Sequence, residues 1–192
     1  LITARLLFYA GSKFDPADRP GLASSVASLL TEGTKTRTEG QVAEELASIG
    51  GALGGSASPD SLILSGSSLA EHLPKFMSIL ADVTMNATFP ANEIQLHKEN
   101  GKQGLIAQKT QPAFLAREQF SKAVFGATNP HAHVSTTAEA LGKLDAATLA
   151  GYRDTYLTPN NGSLILLGSI PARAETMKHI ESHFGKWQRK AT

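Results

Sequence analysis

Polar and apolar positions alternate in part over Ile2-Thr3-Ala4-Arg5-Leu6-Leu7-Phe8-Tyr9 and stop at Gly11-Ser12, which predicts a strand. A loop with Asp15, Pro16, Asp18 and Pro20 follows. The period then becomes helical over 21–32, with Leu22, Val26, Leu29 and Leu30 on one face, Pro20 placed for the first turn and Gly33 for a left-handed cap. Thr38 and Gln41 have capping-box spacing, and Val42, Leu46 and Ile49 carry a second helical stripe that Gly50-Gly51 ends. Residues 52–58 and 61–69, joined by Pro59-Asp60, read as a hairpin with a thin, Gly-rich outer strand. Pro74 starts the next helix near Leu73, with Phe76, Met77, Leu80 and Val83 on its buried face. A polar helix over 92–109 follows, then one from Pro112 that carries Phe114, Leu115, Phe120, Val124 and Phe125. Thr136 and Glu139 cap a short turn, and Asp145 caps a helix to Leu157. Pro159-Asn160-Asn161-Gly162 is a turn, residues 163–169 read as a buried-type strand, and Pro171 starts a last helix that runs to Gly185.

Strands that are not interleaved regularly with helices predict an α+β fold, a mostly antiparallel sheet with helices packed on one face. The 192 residues fit one domain, 1–192. With 18 basic against 17 acidic residues, the chain offers no electrostatic footprint for nucleic acid. Cysteine is absent, which removes disulfides, Cys-ligated zinc, iron–sulfur clusters and thiol catalysis together. No apolar run reaches the roughly 20 residues of a membrane span. The chain starts at Leu1 inside a strand pattern, without Met or a signal-like segment, and is expected to be a piece of a longer chain.

Three segments carry a known pattern in order and spacing. They are Gly11-Ser12 with Asp15 and Gly21-Leu22-Ala23 running to Gly33-Thr34; Ile49-Gly50-Gly51-Ala52-Leu53; and Tyr156-Leu157-Thr158-Pro159-Asn160-Asn161 followed by residues 164–168. Together they resemble a domain of the insulinase/pitrilysin superfamily, closest to its mitochondrial-processing-peptidase-like branch. The resemblance implies a metallopeptidase-type domain, the first of two related domains. Active members carry H-x-x-E-H on the helix that here spans 21–32. Two His one turn apart grip one zinc ion, and the Glu activates its bound water. A third ligand, a Glu, comes from a later helix.

This chain departs from that motif at every position. The two His positions hold Ser24 and Ser28, the Glu position holds Ala27, and the third-ligand position falls at or beside Gly104. Hydroxyls do not replace imidazoles on zinc, and Ala cannot take a proton. The expectation is no catalytic residue and no metal site, with Ser24, Ala27 and Ser28 a plain helix surface facing a cavity. Zinc is expected only in an active partner.

The resemblance further implies that Gly55, Ser56, Ala57 and Ser58 form a sheet edge that pairs with an extended peptide by strand addition. The alternative is an edge covered by the rest of the protein. The expected partner is a homologous catalytic subunit or domain with an intact H-x-x-E-H, the two forming a heterodimer around a chamber. A purely structural subunit, like the core proteins of a respiratory complex, is the alternative. The compartment stays open between a bacterial periplasm or cell envelope and an organelle matrix. His179 and His183 lie four apart, but Glu181 falls on the opposite side of that helix, and an incidental surface pair is expected over a relocated metal site. His131 and His133 read as a solvated loop, and His72 and His97 as isolated surface residues. Gly50-Gly51 and Gly54-Gly55 lack the Lys-Ser/Thr of a phosphate loop.

Overall fold

A computed structural model describes residues 1–126, 129–132 and 135–190. Four strands, β1 (Ile2–Phe8), β2 (Ala52–Ala57), β3 (Leu62–Ser68) and β4 (Gly162–Gly168), form one antiparallel sheet in the order β2-β3-β1-β4. Leu6 faces Leu64 on one side and Leu164 on the other. Eight α-helices occur among the described residues: α1 (Leu22–Leu29), α2 (Glu39–Ser48), α3 (Leu73–Asn86), α4 (Ala91–Lys109), α5 (Pro112–Phe125), α6 (Ala138–Gly142), α7 (Ala146–Tyr156) and α8 (Arg173–Phe184). The expected α+β class is therefore observed.

Alternation in β1 buries Ile2, Ala4, Leu6 and Phe8, and β3 adds Leu62 and Leu64. Leu73, Phe76, Met77, Ile79, Leu80 and Val83 of α3, with Leu22, Val26 and Leu29 of α1, complete one core against that face. The Thr38–Gln41 capping box is formed in both directions, Gln41 N–H to Thr38 Oγ1 at 3.3 Å and Thr38 N–H to Gln41 Oε1 at 2.9 Å. Asp145 caps α7 through the Thr148 N–H.

Four local expectations change. Pro20 lies before the first helical turn, because Gly21 is the N-cap of α1. Thr137, not Thr136, caps α6, accepting from the Ala140 N–H at 3.0 Å. The last helix begins at Arg173 rather than at Pro171. β4 is not a buried strand: it sits at a sheet edge, and Ile165 and Leu167 are 44% and 59% exposed on the face away from the core. An apolar run does not reveal which of its faces will be covered.

A polar cluster fastens residues 34–37 to α3. Asp82 Oδ2 accepts from Thr34 Oγ1, Thr36 Oγ1 and Arg37 Nη1, each at 2.7 Å, and Oδ1 accepts from Asn86 at 2.8 Å. Burial alone would raise the Asp82 pKa, but hydrogen bonds from Thr34, Asn86, Thr36 and Arg37 outweigh it and hold the carboxyl below the ordinary range.

Candidate functional site

The site grows from an unusual start to α1. Gly21 takes φ +90°, a conformation open to Gly at little cost, and has no side chain to cap the helix. Asp15, six residues upstream, does this instead. Its two oxygens accept from the Gly21 N–H at 2.7 Å and the Ala23 N–H at 2.9 Å. Burial nonetheless pushes the Asp15 pKa up to about 6, the hydrogen bonds from Ala23, Gly21 and Leu22 opposing it. The loop carrying Asp15 is tied to the hairpin turn by backbone bonds from Ser12 N–H to Ser58 O and from Lys13 N–H to Pro59 O.

These contacts bring α1, the β2–β3 turn, α4 and α5 around one cavity of about 680 Å³. Ser24 and Ser28 line it, one turn apart on α1, and Ala57 and Ser58 line it at the end of β2. Ala27 does not face it as expected. It is fully buried, and its carbonyl lies so close to Gly55 that a Cβ there would collide with it. The small residue at position 55 thus lets the sheet edge and α1 approach each other. Gly104 is exposed on α4, and a side chain there would enter open space.

β2 is an edge strand. The Ser58 N–H donates to the Ser61 carbonyl at 2.8 Å. From that bond, antiparallel alternation turns the backbone groups of Leu53, Gly55 and Ala57 away from β3. Ser56 lies on the exposed face and Ala57 on the half-buried one.

His97 is not an isolated surface residue. It is half-buried on α4, lines the cavity, and its Nε2 lies 3.1 Å from Ser25 Oγ on α1. Burial lowers its pKa by disfavouring the charged imidazolium. His131 also lines the cavity, half-buried with its ring centroid 5.8 Å from that of Phe125, rather than lying in a solvated loop. His133 lies outside the described residues. His72 stays at the surface beside Glu71. His179 and His183 are half-buried on α8, which packs on α3. The His183 pKa is lowered by burial and by the charges of His179 and Arg37, surroundings that disfavour a cation.

The zinc of the resembling peptidases does not fit this site. Ser24 and Ser28 offer neutral hydroxyls, Ala27 a buried methyl and Gly104 nothing, while of the cavity's metal-capable groups Asp15 and His97 are engaged with α1 and His131 lies against Phe125. No cluster of three His, Cys, Asp or Glu suited to a metal ion occurs among the described residues. No helix among them is long and apolar enough to cross a membrane. Asp15, His97 and Arg117, which also lines the cavity, were not singled out as site residues by the sequence. Asp15 had a signal in its fixed place after Gly11-Ser12, but α4 and α5 give Arg117 none.

Comparison with known proteins supplies the frame. Residues 2–142 match the family model for insulinase (peptidase family M16). Over 180 residues the chain is 24% identical to the uncharacterized zinc protease YmxG of Bacillus subtilis (strain 168), covering 94% of this chain and 44% of that one. It is 25% identical over 175 residues to cytochrome b-c1 complex subunit 1 of Caenorhabditis elegans, covering 91% and 37%. The fold superposes with a TM-score of 0.90 on the crystal structure of a peptidase M16 inactive domain from Pseudomonas fluorescens, at 24% identity, over 100% of this chain and 46% of that one. The chain thus spans less than half the length of these relatives.

Proposed function

Because the chain belongs to the insulinase family of peptidases (M16), we propose that it is the family's non-catalytic kind of domain, one that holds an extended peptide for an active homologue. The observation that carries this is the chemistry of α1. At the two positions where a zinc peptidase places imidazoles facing the cleft, this cavity is walled by the hydroxyls of Ser24 and Ser28. A hydroxyl that keeps its proton is a poor ligand for zinc, and no carboxylate at position 27 or 104 supplies a base or third ligand. A solved M16 domain of this fold is described as inactive, in accord with this reading.

On this reading, residues 1–192 are the first of two related domains, and the partner carries an intact H-x-x-E-H and the zinc. The outward backbone groups of Leu53, Gly55 and Ala57 receive the peptide by strand addition, and Ser56 and Ser58 flank it. The chain's own residues then orient a peptide and exclude water, and perform no bond cleavage.

Elemental analysis of purified protein tests the first part. Substoichiometric zinc is expected, and one tightly bound equivalent overturns the proposal. The triple variant Ser24→His, Ser28→His, Gly104→Glu should gain zinc binding, since positions 24 and 28 face the cavity and 104 faces open space. A second reading, a structural subunit without peptide binding, is favoured by the similarity to the b-c1 complex subunit. Calorimetry with extended peptides separates the two, because only the first gives a binding heat.

A further inference from the structure

We propose that the cavity beside β2 selects peptides with an acidic side chain, and that Arg117 is the residue that determines this. The inference rests on the strand-addition reading and adds the substrate class. Besides the histidines, two ionisable side chains of opposite sign line the cavity, Asp15 and Arg117. Asp15 is engaged: both of its oxygens accept backbone N–H groups at the start of α1, so its charge is offset by the helix terminus. Arg117 is not engaged. Among the described residues it makes no ion pair and no side-chain hydrogen bond, and its neighbour Glu118 is held by Lys122 at 2.8 Å. The histidines do not change this balance. His97 is bonded to Ser25, and His131 lies against Phe125.

The cavity therefore offers an entering side chain one uncommitted charge, and it is positive. A guanidinium binds a carboxylate through two parallel N–H donors, a geometry an amide or ammonium does not match. Ser24, Ser28 and Ser121 add hydroxyl donors around the same space. Ala57 and Ser58, at the end of β2, line the cavity, so a peptide paired along β2 runs beside it. A Lys side chain there would meet the guanidinium with like charge, while a Gln would keep one hydrogen bond through its carbonyl oxygen and lose the second bond and the charge.

Fluorescence anisotropy with labelled extended peptides tests this, one Glu, Gln or Lys being moved along an otherwise neutral sequence. At one register the Glu peptide should bind about tenfold tighter than the Gln peptide, with Lys weakest. The Glu preference should shrink as salt rises. Arg117 is exposed, so Arg117→Glu folds, and it should reverse the order of Glu and Lys. Equal binding of the three peptides at every register overturns the selection and leaves strand addition standing, as does a Glu preference that survives Arg117→Glu. Failure of every peptide to bind overturns both.

Discussion

Helices α3 and α5 are each 14 residues long, begin with a Pro in the first turn and carry several large apolar side chains, yet they have opposite fates. Nine residues of α3 are buried, whereas Ser121 alone is buried on α5. Leu115, Phe120, Val124 and Phe125 of α5 are 42%, 68%, 56% and 48% exposed. The stripe of α3 meets a sheet face that is itself apolar, and dispersion and burial act together there. The helix α5 meets a cavity instead, turning Arg117, Ser121 and Phe125 toward it. One helix holds the domain together. The other walls the candidate binding site, and composition alone does not distinguish them.

The largest effect expected from this contrast is in α3. Phe76 is fully buried, and Phe76→Ala should cost about 3–5 kcal/mol in urea unfolding, through lost transfer energy and a residual cavity. A cost below about 1 kcal/mol would break the assignment of α3 as the core helix.

Next comes the polar side of α3. Asp82→Ala leaves the Arg37 guanidinium without its 2.7 Å partner, the Thr36 hydroxyl without an acceptor and Thr34 with only a long bond to the Arg37 carbonyl. The loss should be about 3 kcal/mol, measured the same way. Because the folded carboxyl titrates below its unfolded value, this contribution is present above about pH 4 and disappears as pH falls through the folded value. Glu45→Gln removes a second carboxylate partner of Arg37 whose own pKa is lowered, by Lys75 and Arg37, so acid unfolding should begin at higher pH in that variant too.

At the mouth of the cavity Asp15 behaves in the opposite sense. Its pKa is about 6 when folded against 3.8 as a free side chain, so the folded state holds the proton more tightly. The stability it contributes is full below about pH 4 and declines as pH rises through about 6. Asp15→Ala should cost about 1 kcal/mol from the lost α1 cap and should flatten stability between these limits in a pH series of urea midpoints. A slope that persists in the variant would remove Asp15 as its source.

The same division explains what was legible in the sequence. The α+β class, the Thr38–Gln41 box, the Pro59-Asp60 hairpin and the α3 stripe depend on neighbours within a few residues, and short-range pattern carries that information. The reading of Ser24, Ser28 and Gly104 as departures rests on the spacing of a family motif, not on local pattern. Burial of Ala27 was not, because it depends on Gly55 approaching α1 from 28 residues away in sequence. Nor was the role of His97, whose partner Ser25 lies 72 residues away. The edge position of β4 was hidden too, since Leu and Ile serve a covered face and an open one equally well.

The smallest expected effect bears on α5 itself. Phe120 is 68% exposed, so in the isolated chain its ring sits largely in water whether the protein is folded or not. Phe120→Ala therefore removes little burial and leaves no cavity. The change also replaces an aromatic residue by a better helix former, which offsets part of what is lost. Unfolding free energy should move by no more than about 0.5 kcal/mol. A loss of 2 kcal/mol or more, of the order expected for a buried aromatic ring, would mean that α5 is packed like α3, and the contrast between the two helices would fail.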